Sequence, residues 1–101
     1  MDRHEPLMES LSEAVIETPG DLDPALRRTI AAYAGGKEAE PPAELRTYLD
    51  KVARHAYKVV DADLGRLREL GYSEDAIFEL TLAAALGAAR ARLEAGLAAL
   101  R

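Results

Sequence analysis

"DADLGRLRELGYSEDAIFELTLAAALGAARARLEAGLAAL", residues 61–100, is punctuated as two helices with a tight joint between them. Asp61 or Asp63 can cap the first, Leu64, Leu67 and Leu70 recur at three-residue steps, and Gly71 suits the left-handed residue that closes a helix. Ser73 is the natural cap of the second, with Glu74 and Asp75 in its first turn, where negative charge meets the positive end of the helix dipole. This second helix is predicted from Glu74 to about Leu100. From Leu80 to Ala91 it is apolar or small nearly all the way round, so it needs cover on every side. Ala84, Gly87, Ala88 and Ala91 would let another backbone approach closely. We expect part of that surface to be a contact between copies in a homo-oligomer; the alternative is a central helix within a single-chain bundle.

Upstream, Leu45, Tyr48, Leu49, Val52, Ala56 and Val59 recur at three- and four-residue steps, which predicts a helix from Pro42 to about Lys58. "GGKEAEPP", residues 35–42, has no apolar period and ends in two prolines, and reads as an exposed linker. Before it, Asp23 can cap a short helix with Pro24 in its first position, an apolar stripe of Leu26, Ile30 and Tyr33, and a stop at Gly35-Gly36. A first helix carries Leu7, Met8, Leu11, Ala14 and Val15 on one face from Pro6 to near Glu17, and "TPGD" breaks it. No alternating run of β-branched residues reads as a strand. The expectation is an all-α bundle of about five helices with a long small-residue C-terminal helix, divided into an N-terminal helical extension and linker (1–40) and a helical core (41–101).

The bulk chemistry excludes more than it assigns. At 101 residues the chain has room for one core but not, alone, for a wide enclosed cavity. The net charge of -5 lacks the basic surface on which nucleic-acid binding depends, and the absence of cysteine removes disulfides, thiolate nucleophiles and thiolate metal ligands together. Acidity concentrates in residues 1–50, with eleven acidic against five basic side chains, whereas residues 51–101 carry seven against eight. The N-terminus has no apolar signal core, and the Leu80–Ala89 run is half the length of a membrane span, so a cytoplasmic location with no membrane partner is expected. Nucleic acid is not expected as a partner, and no cofactor or metal is predicted; a small-molecule ligand remains open.

Polar groups crowd one corner, "RHAYKVVDADL", residues 54–64. His55 falls three residues after Val52 and four before Val59, on or beside the buried face, where a histidine is either a packing residue or an acid/base group. Asp61 and Asp63 point in different directions and cannot form a carboxylate pair; capping accounts for both. The tyrosines at 33, 48, 57 and 72 read as core-edge residues. No phosphate loop, nucleotide fingerprint or Ser-His-Asp ordering is present.

The order of caps, Gly71 turn and Ala-rich helix resembles the carboxymuconolactone decarboxylase and alkylhydroperoxidase-D-like (AhpD-like) family over roughly Glu44 to Leu100. That resemblance implies its helical fold and an assembly of identical subunits. Peroxidatic members carry Cys-x-x-Cys-x-x-x-His before the glycine turn and a Glu upstream; counted back from Gly71, the Cys positions fall on Ala56 and Val59, the His on Asp63, and the Glu on Glu44. Only Glu44 matches. Without a thiolate nothing can attack a peroxide or form a resolving disulfide, so thiol peroxidase activity is not expected. The cysteine-independent decarboxylase branch works by proton transfer, and the residues it could use here are Glu44, His55, Tyr57 and Asp63. Two functions follow as expectations: a cysteine-less protein acting through assembly or small-ligand binding, or an acid/base enzyme, decarboxylase- or isomerase-like, on a small carboxylated substrate.

Overall fold

A computed structural model describes residues 4–100. The chain is all-helical among the described residues: α1 (His4–Ser12) runs into a π-helical turn (Glu13–Glu17), followed by α2 (Pro24–Ala34), α3 (Ala43–Arg54), a 3-10 turn (Ala56–Lys58), α4 (Asp61–Glu69) and α5 (Glu74–Ala99). None of these helices is long and apolar enough to cross a membrane.

The ends of the helices are set by local chemistry. The Asp23 carboxylate accepts from Ala25 N–H at 2.9 Å with Pro24 behind it, and the Ser73 hydroxyl accepts from Ala76 N–H at 3.0 Å. α2 and α4 close alike. Gly36 (φ 82°) and Gly71 (φ 101°) take left-handed backbone, and the next N–H in each case reaches back five residues, Lys37 to the Ala32 carbonyl and Tyr72 to the Leu67 carbonyl.

Two predicted helices are interrupted. The first ends its regular winding at Ser12, and Glu13–Glu17 widen into the π turn. The third stops at Arg54 rather than near Lys58, because His55 leaves helical geometry (φ -144°, ψ 52°) and the chain turns through Ala56–Lys58 before Val59 and Val60 extend into α4. The released end of α3 is capped from a distance, by the Arg92 guanidinium donating to the Ala53 carbonyl. It is also tied to α4 by the Lys51 ammonium on the Asp63 carboxylate, at 2.8 and 3.1 Å.

α5 is the axis of the molecule. Its 26 residues span about 39 Å at 1.5 Å per residue, close to the longest dimension of 46 Å. Leu80, Ala83 and Ala84 on α5 are fully buried against Ile30 of α2 and Leu45 and Leu49 of α3, in a core that Leu22, Tyr48, Leu67 and Ile77 extend. Residues before 40 therefore share one core with those after it, and α2 makes the largest single interface with α5. The 35–42 segment is exposed over Gly36–Glu38, but its end is anchored, with Pro41 fully buried and its carbonyl accepting from Arg46 Nε at 3.2 Å. At the centre of the α2–α5 interface Gly87 lies so near α2 that a Cβ there would stand 2.0 Å from the Ala31 carbonyl oxygen. Ala84, Gly87 and Ala88 are thus buried by the chain's own helices, and Ala91 is half-buried. The close approach their small size permits is made within the chain.

Candidate functional site

The four acid/base candidates do not converge. Glu44 lies exposed in the first turn of α3, 3.5 Å from the Tyr72 hydroxyl, which donates to it. Burial, and then the Glu44 charge and hydrogen bond, push the Tyr72 phenol above its usual range. His55 is exposed rather than on a buried face, because the helix that would have turned it inward has ended; its ring meets Tyr57 edge-on at 6.0 Å. Tyr57 itself is 81% exposed, with the Lys58 ammonium 6.0 Å from its ring centre. Asp63 sits at the third position of α4, where its carboxylate accepts from Val60 N–H at 2.9 Å as well as from Lys51. Those donors, Lys51 first, hold it below the usual carboxylate range.

Three separate pairs result, Glu44 with Tyr72, His55 with Tyr57, and Lys51 with Asp63. Among the described residues no hydrogen bond or ion pair joins one pair to another. Of the two positions at which the resemblance would place cysteines, Ala56 is exposed and Val59 packs its side chain on the core edge. A carboxylate saturated by an ammonium and a backbone N–H serves to hold a helix start, and His55 lies in open solvent apart from the other candidates. No group of three or more His, Asp or Glu side chains gathers among the described residues.

A concave site forms elsewhere, on the opposite side of α2 from α3. A groove of about 530 Å³ runs between α1 with its π turn, α2 and α5. Its floor is made of small or apolar groups, Ile16, Ala31, Ala32, Gly35, Gly87 and Ala91, and it is hollow because α2 and α5 meet there backbone to backbone with no side chains to fill the space above. Its rim is charged and mostly self-paired. Arg28 of α2 donates to both oxygens of Glu17, at 2.5 and 2.7 Å, and Arg90 of α5 bonds Glu94 at 3.2 Å and the Ser12 hydroxyl at 3.1 Å. Lys37, Glu9 and Glu13 complete the charged border.

The wall carried by α1 is positioned by a residue that sequence patterning missed. Arg27 is 2% exposed, and its guanidinium donates to the carbonyls of Leu22 (3.2 Å), Val15 (2.9 Å) and Thr18. Glu79 on α5 stands 3.9 Å away and accepts from Asp21 N–H and Leu22 N–H, each at 2.9 Å. One buried cation and one carboxylate therefore pin the turn between α1 and α2 onto α5. The available signal was the spacing of Arg27 three residues before Ile30, which puts it on the apolar face of α2.

Fold and groove together define a small all-α protein with an open, apolar-floored cleft on a single chain. No protein-family model, curated protein or solved structure matches this chain.

Proposed function

We propose that this chain is a divergent, cysteine-less AhpD-like protein that lacks thiol peroxidase activity and acts as a homo-oligomeric binding protein for a small, largely apolar molecule. The groove between α1, α2 and α5 carries the reading: its volume of about 530 Å³ lies in the range of ligand clefts, and its floor is apolar beneath a polar rim. The dispersal of Glu44, His55, Tyr57 and Asp63 into separate pairs favours binding over proton-transfer catalysis. The order of the Gly71 turn, the Ser73 cap and the small-residue α5 supports the family reading, and Phe78, 63% exposed on α5, supports self-association.

The test is a titration of the isotopically labelled chain with the apolar probe anilinonaphthalene sulfonate, followed by amide chemical shifts. Saturable shifts at Ala31, Gly35 and Gly87 that disappear in Ala91→Phe, which fills the groove, are the expected result. Shifts that do not saturate, or that survive unchanged in Ala91→Phe, would remove the groove as the binding site.

A further inference from the structure

Between Ala76 and Ala88 α5 is buried against the chain's own helices on all but one side. Along the open side lie Asp75, Phe78, Leu82, Ala85, Ala89 and Arg92, all exposed, with Phe78 at 63% and Leu82 at 37%. Their spacing, three, four, three, four, three, is the repeat of a two-helix seam. We propose that two copies of this chain pair through this face with their α5 helices antiparallel, which deepens the self-association part of the function proposed above.

The face is complementary to itself when reversed. With the two-fold axis passing between Ala83 and Ala84, Leu82 lies opposite Ala85 of the second copy, Phe78 opposite Ala89, and Asp75 opposite Arg92. Each large side chain faces a small one, and each end of the apolar stripe brings opposite charges together. A parallel pairing fails on the same residues. It would set Asp75 against Asp75 and Arg92 against Arg92, crowd two Phe78 rings at one end and leave a gap between the two Ala89 residues at the other. Arg92 is held for this role in the single chain, since one of its amino groups already rests on the Ala53 carbonyl, and among the described residues its other N–H groups have no acceptor and can face a carboxylate.

This face differs from the small-residue surface at Ala84, Gly87 and Ala88, which is buried within the chain. It also lies apart from the groove, whose lining takes the other side of α5 at Leu86, Gly87, Arg90 and Ala91. Pairing therefore leaves the groove open in both copies.

The lack of native cysteine makes the geometry directly testable. In the antiparallel pair the two Ala85 residues are offset by about 4.5 Å along the helix direction and the two Ala89 residues by about 16 Å, so a disulfide can join the first pair and not the second. Under mild oxidation, Ala85→Cys should form a covalent dimer and Ala89→Cys should not. In sedimentation equilibrium, Phe78→Asp should weaken the dimer at least tenfold while circular dichroism confirms the native helix content. A monomer at hundreds of micromolar would overturn both this pairing and the self-association reading. A dimer unaffected by Phe78→Asp, or cross-linked equally well through Ala89→Cys, would overturn this face and leave self-association standing.

Discussion

Arg27 is the residue on which most of the N-terminal structure depends. Its side chain donates to three backbone carbonyls and sits beside the Glu79 carboxylate. Arg27→Met keeps the bulk but strands those acceptors and leaves Glu79 without its cation, a change that costs about 3–5 kcal/mol in comparable buried sites. Urea denaturation should show that loss. Asp63 offers a gentler probe. Because its folded carboxyl is held below its ordinary value of 3.8, chiefly by Lys51, its contribution is complete above that value and fades as the pH falls through the lowered one. Lys51→Met should move the Asp63 titration upward in a carbon-detected NMR experiment, and the Val60 N–H should retain part of the depression. Caps such as Asp23, Ser73 and Gly71 were legible in the sequence because their partners lie within five residues. Arg27 was not, since its acceptors become neighbours only after the 13–22 turn has folded. The same limit applied to Glu44, His55, Tyr57 and Asp63. The crowding of His55, Tyr57 and Asp63 along the chain gave no sign that α3 would end at Arg54 and turn them apart from one another and from Glu44.

Among the elements, α5 was the most readable and its surroundings the least. All-round apolarity signals that a helix needs cover, but it does not say from which chain the cover comes. The structure answers with Gly87, where the obstacle to any side chain is the main chain of α2. Gly87→Ala should destabilise the protein by about 2–3 kcal/mol, the scale of overpacking in a core. Trimming the facing residue should not restore it, because the clash is with the Ala31 carbonyl and not with its methyl group. A thermal midpoint for Gly87→Ala combined with Ala31→Gly no higher than that of Gly87→Ala alone would match that account, since a glycine inside α2 adds its own cost. A midpoint restored by the second change would contradict it. Ending α3 at Arg54 was harder to anticipate, because Ala56 and Val59 continue its apolar period. The reasons lie in tertiary structure, in the reach of Lys51 to Asp63 and of Arg92 to the Ala53 carbonyl.

For the molecule as a whole, the core spans both sides of the exposed loop that precedes residue 40. Ile30 and Leu22 are buried in the same cluster as Leu45, Leu49 and Leu80, whereas Gly36, Lys37 and Glu38 between them are exposed. Covalent continuity across that loop and cohesion across the α2–α5 interface are therefore separate properties. A chain supplied as two peptides, 1–37 and 38–101, should reassemble into one helical complex that runs as a single species on a sizing column and as two bands on a denaturing gel. The loop is then a permissive joint. New termini, an inserted tag or a protease site could be placed there, and the floor of the groove and the outer face of α5 would both survive the cut, with only the Lys37 edge of the rim altered.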